Sequence, residues 1–252
     1  MLSGMINPVA FELFGIKIMW YGVLITIGMV LGAWIAIREA KRVGVSEDDM
    51  VDFLIWALPI SIIGARIYYV AFSWSEYSGD FWKMINIRGG GLAIYGGIIA
   101  GVLTAIVFTK KRNIGFWKFG DIAAPSIALG QAIGRWGNFI NQEAHGGVTD
   151  VPWAILVDGQ RVHPTFLYES ICNFSIFIFL MYYRKNKTKN DGETFVLYLI
   201  LYGIARFFIE GMRTDSLYIG VFRISQLVAI VAIVFGSAMF FYFRKKNKGL
   251  DR

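Results

Sequence analysis

Seven runs of predominantly apolar residues, at about 18–37, 51–72, 91–109, 119–140, 165–183, 195–212 and 224–243, occupy most of the chain. Each is close to the roughly 20 residues a helix needs to cross a bilayer core. A chain of 252 residues that is 56% hydrophobic, with a mean hydropathy of +0.53, has too little polar surface for a soluble domain of this size. Within hydrocarbon every backbone amide and carbonyl must be paired internally, so the runs are expected to be helices. The expected fold is therefore an all-α polytopic membrane protein with seven transmembrane helices.

The basic residues fall unevenly between the runs. Arg38, Lys41 and Arg42 follow the first run, and Lys110, Lys111, Arg112 and Lys118 separate the third from the fourth. Arg184, Lys185, Lys187 and Lys189 separate the fifth from the sixth, and Arg244, Lys245, Lys246, Lys248 and Arg252 close the chain. The opposite connections hold Lys17, Lys83, Arg88, Arg161, Arg213 and Arg223. Short basic loops stay in the cytoplasm, so the N-terminus is expected outside and the C-terminus inside. The net charge of +7 then reports orientation in a lipid bilayer and gives no reason to expect nucleic acid. No basic stretch precedes the first apolar run, so a cleavable signal peptide is not expected.

Polar residues inside such runs are costly and usually serve a substrate. The fourth run ends Gly134-Arg135-Trp136-Gly137-Asn138-Phe139-Ile140-Asn141-Gln142-Glu143-Ala144-His145-Gly146-Gly147. On a helix Arg135, Asn138 and Gln142 share one face, offering a charged fork and two amides to one ligand. Arg66 and Arg206 occur late in the second and sixth runs, as Arg135 does in the fourth. All three are expected in the outer half of the bilayer, where guanidinium groups match a phosphate. A structural network of arginines paired with Glu143, Glu169 and Glu210 is the alternative, since Glu210 lies four residues beyond Arg206 on the same face as Tyr202 and Arg213. The third run opens with Gly89-Gly90-Gly91-Leu92-Ala93-Ile94-Tyr95-Gly96-Gly97, either a helix start that favours an anion or a seam of small residues for helix packing.

Between Asn141 and Pro164, Asp158-Gly159 separates two short β-prone runs and predicts a hairpin turn. This loop and the one at about 73–90 are expected to form a small external head on a single domain spanning 1–252. Cys172 is the only cysteine, so no internal disulfide forms; the two histidines, His145 and His163, have no cysteine pair beside them, and neither a metal nor another cofactor is expected.

Taken together, Trp20-Tyr21-Gly22, Gly64-Ala65-Arg66, the Gly90 to Gly97 stretch, the Gly134 to Gly147 signature, His163-Pro164-Thr165-Phe166-Leu167-Tyr168-Glu169 and Tyr202 through Arg213 resemble the prolipoprotein diacylglyceryl transferase family of bacteria. The resemblance implies a multi-pass protein of the bacterial cell (inner) membrane, with its active site facing the outer leaflet. It implies transfer of the diacylglyceryl group of phosphatidylglycerol to the lipobox cysteine thiol of a preprolipoprotein signal peptide. It further implies Arg135 on the substrate phosphate with Arg206 as its partner, Asn138 and Asn141 on headgroup hydroxyls, and Glu143 and Glu210 orienting the arginines. Tyr21, Gly146 and Tyr202 match functional positions of the family, and Gly96, Gly97 and His163 are carried over as substrate-binding. Some family members have a histidine where this chain has Tyr95; an ordinary phenol titrates near 10 and is a poor base at neutral pH, so the thiol base stays open among Tyr95, His145, His163, Glu143 and the substrate phosphate itself. A lipid or organic-anion transporter would also use intramembrane arginines and glycine-rich helices, and is the competing function.

Overall fold

The computed structural model describes residues 7–87 and 90–248. Arg88, Gly89 and Arg252 lie outside the described residues. In chain order the elements are β1 (Val9–Leu13), β2 (Ile16–Met19), α1 (Trp20–Arg42), α2 (Glu47–Phe72), α3 (Trp74–Tyr77), α4 (Phe81–Ile85), α5 (Ile94–Lys111), α6 (Phe116–Ile140), β3 (Ile155–Val157), β4 (Gln160–Val162), α7 (Thr165–Asn186), α8 (Glu193–Glu210), β5 (Tyr218–Ile219), β6 (Phe222–Arg223) and α9 (Ile224–Lys248). Among the described residues, seven helices have 18 residues or more, one for each apolar run. Five of them, α1, α2, α5, α7 and α9, are long and apolar enough to cross a membrane. The remaining two, α6 and α8, are those that carry Arg135, Arg206 and Glu210. The chain is a mostly helical, multi-pass membrane protein, and large apolar side chains such as Ile55, Trp56, Ile67, Val231 and Val234 stand exposed on its helices as lipid contact requires.

Packing divides the chain into two compact units, residues 37–119 and residues 1–36 with 120–252. In the first, α2 and α5 meet along small residues. A Cβ on Gly64 would lie 2.4 Å from the Ala100 Cβ, and one on Gly96 would lie 2.4 Å from the Gly64 carbonyl oxygen. Gly97 of α5 faces Ser61 of α2, 3.4 Å from a hypothetical Cβ to the backbone oxygen. Such a seam lets backbones approach where no hydrophobic effect drives helices together. Ser46 caps α2 by accepting from the Asp48 amide at 3.2 Å, and Glu47, Asp48 and Asp49 place negative charge on its positive end.

The second unit contains the first part of α1, most of α6, and α7 to α9. Gly28 lies against Gly130, and Gly32 against Ser126, so α1 and α6 cross closely. Ala124, Ala128, Ile176, Leu180 and Tyr198 form a core among α6, α7 and α8. Gly203 and Gly236 let α8 and α9 approach each other's backbone. Asp121 of α6 satisfies the start of α8 by accepting from the Gly192 amide at 2.6 Å and the Phe195 amide at 2.8 Å, two of the donors that a helix N-terminus leaves unpaired.

The hairpin foreseen at Asp158-Gly159 pairs Ile155 with Val162 and Val157 with Gln160. Both turn residues have positive φ, 49° and 79°, as a two-residue type I′ turn requires. Two further hairpins have no counterpart in the reading above: β1 with β2 around Phe14-Gly15, and β5 with β6 around Gly220-Val221. Their strands have only two to five residues, too few for alternation to mark them as strands.

Candidate functional site

Glu169, in the second turn of α7, is 3% exposed and sits among three guanidinium groups. Its Oε2 lies 2.7 Å from Arg135 Nη2 and its Oε1 lies 2.9 Å from Arg206 Nη1. Arg213 Nη1 approaches the same Oε1 at 3.4 Å. The second carboxylate, Glu210, is 2% exposed, and its Oε2 is ion-paired with Arg206 Nη2 at 2.6 Å. Arg206 therefore bridges two buried acids with both terminal nitrogens. A buried carboxylate is tolerated only when paired, and here α6, α7 and α8 each contribute a partner.

Arg135 is held differently. It gives one nitrogen to Glu169, while Nη1 has only a long contact of 3.4 Å to Asn138 Oδ1, and its side chain is 20% exposed. Asn138 donates to Glu143 Oε1 at 2.9 Å and Asn141 donates to the same oxygen at 3.4 Å. Glu143 thus acts on Arg135 through Asn138, whereas Glu210 touches Arg206 directly. Gln142 does not join this face: α6 ends at Ile140, and Gln142 has φ 55° in the turn that follows. The face expected for Arg135, Asn138 and Gln142 is corrected to a pair followed by a tight turn, whose Ala144 also has positive φ, 57°.

That turn is fixed from two sides. Gly146 donates to the His163 carbonyl at 2.9 Å, Gly147 donates to the Met212 carbonyl at 3.1 Å, and Thr165 Oγ1 donates to the Ala144 carbonyl. A Cβ on Gly146 would lie 2.7 Å from the His163 Cβ and 3.0 Å from the Met212 carbonyl oxygen, so glycine is what lets the segment after α6 lie between β4 and the end of α8. Arg213 pairs with Gly146 in an isolated β-bridge beyond the end of α8, which is why it reaches Glu169 even though it is not helical. Its Nε and Nη2 also grip Asp215 at 2.9 and 2.7 Å.

His163 Nδ1 lies 3.2 Å from the Tyr168 hydroxyl, which accepts from Trp153 Nε1 at 2.7 Å. Tyr21 packs its ring on Gly137, where a Cβ would fall 2.3 Å from Cδ2. Tyr202, one turn before Arg206, stacks on Tyr198 with centroids 5.6 Å apart, and Tyr198 donates to Gln131 Oε1 at 3.0 Å.

Four residues named from the sequence belong to the other unit. Tyr95, Gly96 and Gly97 open α5, where Gly96 and Gly97 make the contact with α2. Arg66 departs most from expectation. Its Nε donates to Met84, its Nη1 to Gly90 and Gly91, and its Nη2 to Lys83, all backbone carbonyls at 2.6 to 2.8 Å. A guanidinium so engaged organises the loop after α2, and the third cation around Glu169 is Arg213. Glu169 was visible in the sequence only as one acid of a structural alternative, because nothing in its spacing relates it to arginines on α6 and α8.

A model of the family described as prolipoprotein diacylglyceryl transferase matches residues 8–242. Among relatives named phosphatidylglycerol–prolipoprotein diacylglyceryl transferase, that of Finegoldia magna is 57% identical over 240 residues, covering 95% of this chain and 97% of the relative. That of Clostridioides difficile is 55% identical over 242 residues, covering 96% and 97%, and that of Bacillus mycoides is 47% identical over 259 residues, covering 98% and 95%. With its arginines gathered on Glu169 and its length matched nearly end to end, the chain belongs to the prolipoprotein diacylglyceryl transferase family.

Proposed function

We propose that this protein transfers the diacylglyceryl group of phosphatidylglycerol to the lipobox cysteine thiol of a preprolipoprotein, at the outer leaflet of the bacterial cell membrane. The cysteine sulfur bonds to the glyceryl carbon as the bond from that carbon to the phosphate oxygen breaks, and the electron pair leaves with the phosphate. The products are a thioether and glycerol phosphate; the phosphomonoester formed has a second pKa near 6 and takes up the proton equivalent that the thiol lost. Because reaction occurs at an sp3 carbon, the need is to hold and neutralise the departing phosphate and to bring the sulfur in line.

The observation that carries this reading is the unequal use of the guanidiniums. Arg206 is committed on both terminal nitrogens to Glu169 and Glu210, and Arg213 is committed to Asp215, whereas Arg135 is partly exposed and has an edge held only by a long contact to Asn138. Arg135 is thus the residue that grips the phosphodiester, and Arg206 holds Glu169 in place behind it. Asn138 and Asn141, linked through Glu143, supply amides for the glycerol hydroxyls. Tyr21, Gly146, Tyr202 and His163 shape the surroundings of this group.

The test is to incubate the purified protein with headgroup-labelled phosphatidylglycerol and a lipobox peptide, then analyse the peptide by mass spectrometry. A diacylglyceryl thioether with release of labelled glycerol phosphate is expected. Accumulation of intact labelled lipid or headgroup inside vesicles, without modified peptide, would favour the transporter instead.

A further inference from the structure

At the end of the second unit where α7 and α9 terminate and α8 begins, a cavity of about 620 Å³ is lined by Tyr183, Asn186, Lys187, Thr188, Lys189 and Arg244. None of these residues takes part in the arginine–Glu169 group. The cavity is built on a buried acid. Glu193 is fully buried, and its carboxylate lies 2.9 Å from Arg244 Nε and 3.0 Å from Arg244 Nη2. It also accepts from the Tyr183 hydroxyl at 2.9 Å, from Asn190 Nδ2 at 2.7 Å and from the Lys189 amide at 3.2 Å. The loop that bears Lys187 and Lys189 is therefore fixed by its backbone, and Arg244 is held in one orientation before any ligand arrives.

Charge on the cavity wall is unbalanced. Lys187, Lys189 and Arg244 put three cations on the wall, and the two lysines are exposed. The carboxylates of Glu193 and, at the start of α8, Asp121 are engaged by Arg244, Tyr183 and backbone amides. Thr188 and Asn186 line the same wall with their polar groups tied inward, the Thr188 hydroxyl 3.1 Å from Thr194 Oγ1 and the Asn186 amide donating to the Tyr182 carbonyl at 2.9 Å. Both α7 and α9 are apolar enough to span a membrane, so their common end is at the level where a bilayer turns into headgroups. Basic pockets between such helix ends attract anionic lipid phosphates.

We propose that this cavity is a second phosphate-binding site, separate from the Arg135 group, that takes the phosphate of an anionic lipid. The same chemistry would accept a free phosphomonoester, and the experiment separates the two sources. Purified full-length protein in neutral detergent is titrated with phosphatidic acid, with phosphatidylcholine as a reference, and bound lipids are counted by native mass spectrometry; inorganic phosphate is titrated in parallel. Wild type is expected to retain one phosphatidic acid more than the Lys187→Gln/Lys189→Gln variant, with affinity for that lipid about 10- to 30-fold weaker in the variant. The Lys187→Arg/Lys189→Arg variant should restore it, and retention of phosphatidylcholine should not differ. Should inorganic phosphate bind wild type and not the glutamine variant while lipid counts stay equal, the ligand is the soluble anion and the lipid assignment is overturned. Equal behaviour of wild type and the glutamine variant towards both probes would overturn the site altogether. Because both lysines are exposed and remote from Glu169 in sequence and contacts, diacylglyceryl transfer by the variants should be unchanged, which also reports that they fold.

Discussion

At the scale of the residue, the site turns on a difference between two arginines that composition cannot reveal. Arg206 is an internal strut and Arg135 a partly open fork, so the same substitution should separate them. Replacing Arg135 by lysine keeps the charge but removes the planar two-nitrogen edge that matches a phosphodiester. Transfer is expected to fall about 100-fold or more, the order seen when a group stabilising charge in a transition state is lost, while thermal unfolding moves little. Full activity in Arg135→Lys would refute the phosphate role. Glu169→Ala makes the opposite case. Removing the carboxylate leaves three guanidiniums facing one another in a buried place, and breaking a buried pair from one side costs about 3–5 kcal/mol. Its melting temperature in detergent should drop clearly together with activity; an unchanged melting curve would show that Glu169 is not the hub its contacts describe.

Elements position these groups by their ends more than by their faces. α6 stops at Ile140, α8 stops at Glu210, and the segment from Gly146 is clasped between β4 and the residues after α8, which brings Arg213 back over Glu169. Asp215 secures that return. Burial pushes its carboxyl up, but the hydrogen bonds and charge of Arg213 outweigh burial and hold it below its ordinary value of 3.8. A carboxylate with a depressed folded pKa adds stability that is fully present above the ordinary value and is lost as pH falls through the folded one. Wild type should therefore unfold at a higher temperature than Asp215→Asn at pH 6, and the gap should close as the pH is lowered below about 4. A gap that stays constant or widens in acid would mean that Arg213 does not hold the ionised form. The signature from Gly134 to Gly147 drew attention to this segment, but the positive φ at Gln142 and Ala144 depends on how a distant helix end and hairpin pack, and local spacing carries no trace of that.

Over the whole molecule, the uneven distribution of lysine and arginine yields a prediction of orientation independent of the chemistry. In a Cys172→Ser background, a cysteine placed at Gly159 in the turn of β3 and β4 should react with a membrane-impermeant maleimide in intact cells, and one placed at Lys187 should react only after the membrane is opened. The reverse pattern would invert the topology and place the arginine group on the cytoplasmic side. A long helix falls on each of the seven apolar runs, and for the five that are long and apolar enough to cross a membrane this was legible because hydrocarbon imposes a minimum length of apolar residues. The hairpins at 9–19 and 218–223 were not, since strands of two to five residues are too short for periodicity to separate strand from loop or helix end. What the amino-acid order determined alone was membrane residence, the long helices, and the polar residues at their ends, each a consequence of transfer costs that act on one segment at a time. Which acid those arginines share, and that Arg213 joins them while Arg66 is tied to four carbonyls of its own loop, was decided only in three dimensions, because ion pairing depends on distances between segments far apart in the chain.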